Sequence, residues 1–184
     1  MQPGAPGESS RVITPREAAG VADVRHTAAD VRFMQRMIGH HAQALEMTAL
    51  VPTHTANEGL RKLARRIEAS QLDEIAMMRE WLKARGERLP DAHAHHAPGA
   101  PPMPGMLTAE EMTRLREVKG AAFDRLFLEL MIKHHEGALV MVEQLFSEPS
   151  AGQESEIFTF ASDVDADQRM EIQRMASMLG ELQQ

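Results

Sequence analysis

Histidine and methionine side chains recur at matched positions in two distant segments of the chain. The segment FMQRMIGHHAQALEM begins at Phe33, and the similar segment FLELMIKHHEGALVM begins 94 residues later, at Phe127. Each copy has two adjacent histidines, a methionine three residues before the first and another seven residues after it. Imidazole nitrogen and thioether sulfur both bind metals, so this pattern predicts a metal site. The predicted ligands are Met37, His40, His41, Met47, Met131, His134, His135 and Met141.

The combination of sulfur and imidazole indicates copper. Thioether is a soft ligand that favours Cu(I), and imidazole suits copper, zinc, nickel and iron, whereas calcium and magnesium prefer oxygen. A carboxylate-bridged di-iron bundle would need a glutamate one turn before the histidine. Met37 and Met131 take that place. The sequence therefore favours a copper ion over iron.

A second pair of similar segments carries polar residues in an otherwise apolar stripe. These segments are IEASQLDEIAMM from Ile67 and VDADQRMEIQRM from Val164. An unpaired buried polar group costs roughly 2–7 kcal/mol, so we expect these residues to satisfy the imidazoles or the ion. Glu74 and Glu171 are expected to accept imidazole N–H groups. The candidate supporting residues are Gln71, Glu74, Met78, Gln168, Glu171 and Met175.

Helices must position these side chains. Phe33, Met37, His40, Ala44 and Met47 follow one another at steps of four and three residues, which places them on one helical face. The chain is rich in helix formers and only 4% aromatic. Two similar halves, each with a His-His helix and a Gln-x-x-Glu helix, predict an all-α four-helix bundle. We expect it to be made of two pseudo-symmetric hairpins.

Local signals predict where each helix begins and ends. The first helix is expected over residues 27–51, ending at Pro52. Thr55 and Glu58 form a capping-box pattern for the second helix, which we expect to end near residue 85 with Gly86 as its stop. A short helix is expected from Thr108, which pairs with Glu111, to Gly120, and a third long helix over 121–146. The fourth long helix follows Pro149 and Ser150 and reaches Gly180.

The predicted organisation is one domain with a flexible start. Residues 1–26 are expected to be flexible, with a short helix near Thr14, and residues 27–184 form the domain. Within it, hairpins 27–86 and 108–184 flank a Pro- and His-rich linker, 87–107, whose prolines prevent a helix. Short His-rich tracts can bind metal, adventitiously or as a true site. The accessory candidates there are His93, His95, His96, Met103 and Met106.

Several other residues are expected to be structural. Trp81 is expected to anchor the core, and His26 and His54, near helix ends, are expected at the solvated surface. Methionines on buried helices usually serve packing alone. We expect that role for Met34, Met77, Met112, Met170 and Met178.

Composition excludes several classes of function. The 184 residues carry a net charge of −7 with scattered Lys and Arg, which argues against nucleic acid as a partner. The absence of cysteine excludes disulfides, iron–sulfur clusters and covalent haem. No apolar run is long enough for membrane insertion. The opening MQPGAPGESSRVITP lacks the apolar core of a signal peptide, and we interpret it as the start of a mature exported protein.

These motifs resemble a known family. Asp-x-x-Phe, Met-x-x-His-His-x-x-Ala-x-x-Met and a following Gln-x-x-Glu helix are similar to the exported bacterial proteins of domain of unknown function 305. The resemblance covers residues 27–182 apart from the linker. It implies a ferritin-like bundle that binds copper for sequestration, transport or tolerance in the periplasm or outside the cell. It also implies that the eight residues proposed above bind the metal. Many relatives carry a lipid-anchor cysteine, and its absence here favours a form without that anchor.

Two other classes of function stay open. A metal-dependent oxidase-type enzyme would need open coordination positions and carboxylate ligands, for which only Glu74 and Glu171 are well placed. A non-metal helical binding or interaction protein is the other class, with noncovalent haem as one variant. The preferred hypothesis is a copper-binding protein that is not an enzyme. A homodimer and a copper-delivery partner protein are both compatible with it.

Overall fold

The computed structural model describes residues 25–90 and 103–182. The short helix expected near Thr14 and the linker histidines His93, His95 and His96 lie outside these residues. The described residues form helices and no strand, which confirms the all-α fold. The helices are α1 (Ala28–Thr48), α2 (Val51–His54), α3 (Glu58–Ala84), α4 (Ala109–Glu117), α5 (Ala121–Ser147) and α6 (Ser155–Glu181).

The four long helices form a bundle of two antiparallel hairpins. Helix α1 packs on α3, α5 packs on α6, and α1 also packs on α5. The N–H of Gly120, just before α5, donates to the carbonyl of His54 at 2.7 Å, and the N–H of Gly152, just after α5, donates to Asp30 Oδ1 at 2.7 Å. The end of α1 therefore lies beside the start of α5, and the two helices run in opposite directions. The predicted four-helix bundle is confirmed.

At several helix ends, the free backbone groups form the hydrogen bonds that the sequence predicts. The side chain of Thr108 accepts from the backbone N–H of Glu111, whose carboxylate accepts from the Thr108 N–H, so the predicted capping box is present. At the end of α3, Gly86 has a φ of 68°, and the N–H of Glu87 donates to the carbonyl of Leu82. This is the Schellman arrangement that glycine favours.

Three boundaries differ from the prediction. Pro52 does not end the first helix: α1 ends at Thr48, and Pro52 lies in the first turn of α2, where its missing N–H would have no helical partner. The cap of α3 is Asn57 instead of Thr55, because Asn57 Oδ1 accepts from the Leu60 N–H. Helix α4 ends before Val118, whose backbone is extended, and so does not reach Gly120.

The apolar core consists of two clusters at opposite ends of the α1–α5 pair. We call them the α1-start cluster, which includes Phe33, and the α5-start cluster, which includes Phe127. The packing role expected for Met34, Met112 and Met178 is confirmed by their burial. It is wrong for Met77 and Met170, which are 53% and 62% exposed, because each lies one position away from the buried stripe of its helix.

The remaining structural expectations are partly met. Trp81 is buried, and its Nε1 donates to Glu154 Oε2 at 3.3 Å. His26 and His54 are half-buried rather than fully solvated. The ring of His26 contacts Trp81 edge-on, and His54 Nε2 bonds the carbonyl of Arg116 at 3.0 Å. Within the described residues, no helix combines the length and the apolar composition that crossing a membrane requires.

Candidate metal centre

The two histidine pairs meet where α1 packs on α5. The imidazoles of His40 and His134 lie against each other, with ring centroids 3.9 Å apart and ring planes inclined by 36°. The rings of His41 and His135 lie 6.4 Å and 6.2 Å from those of His40 and His134. All four side chains are at most 1% exposed. The duplicated segments therefore bring four imidazoles together in the bundle interior.

Each outer imidazole is held by a glutamate from the other long helix of its own hairpin. His41 Nε2 bonds Glu74 Oε2, and His135 Nε2 lies 2.6 Å from Glu171 Oε2. The hydroxyl of Ser70 donates to the second oxygen of Glu74 at 3.1 Å. These are the contacts expected of glutamates that orient imidazoles, and their part in metal binding stays a prediction.

The two inner imidazoles bond backbone carbonyls. His40 Nε2 lies 3.0 Å from the carbonyl oxygen of Pro104, and His134 Nε2 lies 3.1 Å from the carbonyl oxygen of His40. A carbonyl or carboxylate oxygen can only accept, so Nε2 is the donor in all four histidines. In a neutral imidazole, Nδ1 then carries the lone pair. All four imidazoles therefore use Nε2 as the hydrogen-bond donor, which leaves Nδ1 as the atom that could bind a metal ion.

Several of these Nδ1 atoms have nothing to bond within the described part of the chain. The Nδ1 atoms of His40, His41 and His135 are buried and without a hydrogen-bond partner there. A buried polar atom left unpaired typically costs about 1–3 kcal/mol. Three such atoms in one group are unusual for a purely structural histidine cluster. In a neutral imidazole, such an Nδ1 atom is a free lone pair of the kind that binds a metal ion.

Burial keeps the inner imidazoles neutral. Burial, with a smaller contribution from the neighbouring His41, lowers the pKa of His40 from 6.5 to about 3. Burial also holds the pKa of His134 well below 6.5, with His40 as the next cause. At neutral pH, an incoming cation would therefore find nitrogen lone pairs without having to displace protons from these two residues.

Buried sulfur lies on both sides of the imidazoles along the bundle axis. Met37 precedes His40 on α1, and Met141 follows His134 on the antiparallel α5; both belong to the α1-start cluster. Met47 and Met131 belong to the α5-start cluster. The four thioethers are at most 4% exposed. The α1-start cluster also contains Met78 of α3, and the α5-start cluster contains Met175 and Met178 of α6.

Nitrogen and oxygen ligands do not suffice by themselves. In residues 25–90 and 103–182, no three histidine, aspartate or glutamate side chains are grouped so that they could hold an ion. Glu74 and Glu171 are already engaged with His41 and His135. The thioether ligands expected from the sequence would add soft donors to the imidazoles, and their part in binding stays a prediction.

The other expected residues divide into three groups. Gln71 and Gln168 are buried on α3 and α6, and Gln71 Oε1 is unpartnered among the described residues. Met103 and Met106 of the linker are half-buried, and Met103 packs against the α1-start cluster. The linker histidines lie outside the described residues, so the accessory site stays a prediction.

Sequence reasoning missed the partner of His40. The Pro104 carbonyl reaches this imidazole because the end of the linker crosses α1 and α5. Gln43 fixes that return: its Nε2 donates to the Leu107 carbonyl at 3.1 Å, and its Oε1 accepts from the Leu107 N–H at 2.7 Å. The available signal was Gln43 itself, a polar residue that is only 2% exposed and one turn past His40.

Three solved structures share this architecture. A fragment from Deinococcus radiodurans is 30% identical, with a TM-score of 0.70 over 85% of this chain and 98% of its own. A Streptomyces coelicolor protein predicted to be secreted is 30% identical, with a TM-score of 0.71 over 84% of this chain and 93% of its own. CopM in its Cu(I)-bound form is 26% identical, with a TM-score of 0.65 over 83% and 96%.

One of two sequence comparisons identifies the family. A search of curated proteins finds no match. The family model for domain of unknown function DUF305 matches residues 30–179, which include the four long helices almost completely and all four buried histidines. The Deinococcus and Streptomyces structures are described as members of the same family. The chain therefore belongs to the DUF305 family.

Proposed function

We propose that this protein binds copper and serves its sequestration, transport or tolerance, without catalytic turnover. The proposed nitrogen ligands are His40, His41, His134 and His135. The proposed sulfur ligands are Met37, Met47, Met131 and Met141. One observation carries the proposal: four buried imidazoles bond oxygen acceptors through Nε2, and the Nδ1 atoms of His40, His41 and His135 have no partner among the described residues, between two sets of buried thioethers.

The donor chemistry favours Cu(I) as the bound species. Thioether sulfur is a soft ligand, and a buried set of imidazole and thioether ligands adds no negative charge to the ion. Zinc gains little from methionine, and calcium and magnesium need oxygen ligands. The two carboxylates nearest the imidazoles are occupied with His41 and His135, which leaves them to support the ligands instead of bridging two irons.

The symmetry of the ligands suggests up to two ions. Met37 and Met141 lie on one side of the imidazoles, and Met47 and Met131 lie on the other. Each set combines one methionine from α1 with one from α5. We propose that each sulfur set, together with imidazole nitrogen, forms one half of a duplicated centre.

The comparisons support copper and an exported location. CopM, a similar bundle, has been solved with Cu(I) bound, and the Streptomyces relative is predicted to be secreted. We propose that this chain acts in the periplasm or outside the cell. A binding role without catalysis agrees with the CopM likeness and with carboxylates that are already engaged. Self-association and a copper-delivery partner stay predictions.

The direct test is a competition titration of the purified protein against a chromophoric Cu(I) chelator under reducing, anaerobic conditions. The His40→Ala, His134→Ala double variant should lose most of the affinity. A matched control is His54→Ala, because His54 lies outside the imidazole group and bonds Leu50 and Arg116. The proposal fails if the unmodified protein does not compete with the chelator, or if the double variant competes as well as the control.

A further inference from the structure

Residues 103–107 cross the bundle at the level of the imidazoles. We call this segment the strap. It is the last part of the linker and leads into α4. Gln43 of α1 clamps Leu107 of the strap through two hydrogen bonds of 2.7 Å and 3.1 Å. The Pro104 carbonyl, three residues earlier, accepts from His40 Nε2 at 3.0 Å. The strap thus contacts the candidate centre through a backbone atom.

The strap lies unusually close to α5. A Cβ on Gly137 would lie 2.1 Å from the Pro104 carbonyl oxygen, and a Cβ on Gly105 would lie 2.6 Å from the Lys133 carbonyl oxygen. Gly105 also has a φ of 72°, a conformation that other residues rarely adopt. Backbone therefore packs directly on backbone, and only glycine at residue 137 leaves room for the Pro104 carbonyl.

The strap breaks the symmetry of the two halves. Gln43 and Gly137 occupy equivalent positions in the duplicated segments, three residues after His40 and His134. On α1 that position holds the strap by hydrogen bonds, and on α5 it admits the strap by having no side chain. As a result, His40 bonds a carbonyl of the strap, whereas His134 bonds a carbonyl of α1.

We propose that the strap is a positioning element of the copper centre, which holds His40 as the Nε2–H tautomer and leaves Nδ1 as its ligand atom. Gly137 and Gln43 are the positioning residues that hold the strap against α5 and α1. This inference rests on the proposed function only for the step from Nδ1 to copper. Hydrogen-bond acceptors behind a ligating imidazole typically contribute ten- to hundredfold in metal affinity.

Strap displacement can be produced by one methyl group. Gly137→Ala would place a Cβ where the Pro104 carbonyl lies, and the strap would have to move because both contacting groups are backbone. Gly180→Ala is the matched control: Gly180 is also helical, and an added Cβ there meets nothing within 4 Å. Gln43→Ala is a second, independent variant, since it removes both hydrogen bonds to Leu107 without adding bulk.

The first readout needs no metal. Long-range ¹H–¹⁵N NMR spectra of the copper-free protein identify which imidazole nitrogen of His40 carries the proton. We expect the Nε2–H tautomer in the unmodified protein and in Gly180→Ala, and a mixture of tautomers in Gly137→Ala and Gln43→Ala. Circular dichroism verifies that each variant is helical. The inference is overturned if a folded variant with faster amide exchange at Leu107 still has His40 entirely as the Nε2–H tautomer.

The second readout is the Cu(I) competition titration. Gly137→Ala and Gln43→Ala should bind about ten- to hundredfold more weakly than Gly180→Ala. Equal affinity of all three variants would overturn the positioning role at the copper centre. If the unmodified protein fails to bind copper while the tautomers change as expected, the proposed function fails and the structural role of the strap stands. The two ideas are thereby tested separately.

Discussion

His40 and His134 lie ring against ring, 3.9 Å between centroids, although 94 residues separate them in the chain. Their contact lies where the two halves of a duplicated sequence meet, because α1 and α5 are antiparallel and each contributes the same face. A pair of neutral, buried imidazoles at such a point links the two hairpins and supplies nitrogen donors from both. The chemistry of the centre therefore depends on the packing of the whole bundle.

Thioether sulfur is expected to matter for binding and not for folding. Met37→Leu and Met131→Leu nearly conserve volume, so each should change the free energy of unfolding by less than about 1.5 kcal/mol. Each should nevertheless weaken Cu(I) binding more than about tenfold, since a soft ligand is lost. Met34→Leu is the matched control. Met34 is on the same helix as Met37 and only 1% exposed, but it lies outside the face that carries Met37 and His40.

Chemical denaturation and chelator competition on the same three preparations measure both quantities. If Met34→Leu weakens copper binding as much as the other two substitutions, general packing explains the loss. The assignment of Met37 and Met131 as ligands would then be wrong.

The glutamates that bond the outer imidazoles, His41 and His135, should strengthen Cu(I) binding. Glu74→Gln keeps the size of the side chain but removes the charge that makes His41 a better donor. We expect Cu(I) affinity to fall about ten- to hundredfold, and Glu171→Gln to act in the same direction through His135. Glu80→Gln serves as the control on the same helix, because Glu80 is exposed and pairs only with Lys83 among the described residues.

Competition titrations against a Cu(I) chelator measure the affinities of the three variants. Indistinguishable affinities for Glu74→Gln and Glu80→Gln would show that the carboxylate does not act through His41.

The faces of the helices could be predicted from the sequence, and the contacts between elements could not. Spacings of three and four residues place Met37 and His40 on one buried face, and the structure has them there. The expectation for Met77 was wrong although the spacing is informative: adjacent methionines at 77 and 78 cannot both face the core, and the stripe through Glu74 includes Met78.

The strap was not predictable for a different reason. Nothing in the residues around Pro104 indicates which helix the returning backbone will contact. That contact depends on the bundle geometry and on the missing side chain at Gly137, 33 residues further along the chain. Likewise, Asn57 displaced Thr55 as the cap of α3 because the chain first forms the extra turn α2. A local pattern such as a polar Gln43 beside a buried face can indicate that a partner exists, but it does not specify which segment of the chain supplies it.

The lowered pKa of His40 predicts how stability depends on pH in the copper-free protein. Folded His40 stays neutral down to about pH 3, whereas in the unfolded chain it takes up a proton near pH 6.5. Between these values the unfolded state binds more protons, so the free energy of unfolding should rise with pH. The slope from His40 alone is at most about 1.4 kcal/mol per pH unit, and it vanishes above about pH 6.5.

Urea denaturation at several pH values between 4 and 8 measures this slope. His134 should add to it, because its pKa is lowered in the same direction. The His40→Gln variant keeps an N–H donor for Pro104 but cannot be protonated, so its stability should fall less steeply as the pH is lowered. Equal slopes for the variant and the unmodified protein would contradict the buried, neutral state of His40.

Two equivalent aspartates should contribute unequally to the joining of the hairpins. Asp30 and Asp124 each lie three residues before the phenylalanine that opens a duplicated segment. Asp30 accepts from the Thr27 N–H at 2.6 Å and, across the bundle, from the Gly152 N–H at 2.7 Å. Asp124 Oδ2 accepts from the Asn57 side chain at 3.0 Å, and its Oδ1 has no partner in the described residues.

Asp30→Ala should therefore destabilise the protein more than Asp124→Ala. The first substitution removes the Asp30 half of the capping box that it forms with Thr27 and leaves the buried Gly152 N–H unpaired, which together cost about 2–4 kcal/mol. The second removes one side-chain hydrogen bond and also relieves an unpaired buried oxygen, so about 1 kcal/mol or less is expected. Urea denaturation of both variants, with the exposed Asp73→Ala as control, provides the comparison. Equal losses at both aspartates would mean that the Gly152 contact does not hold the two hairpins together.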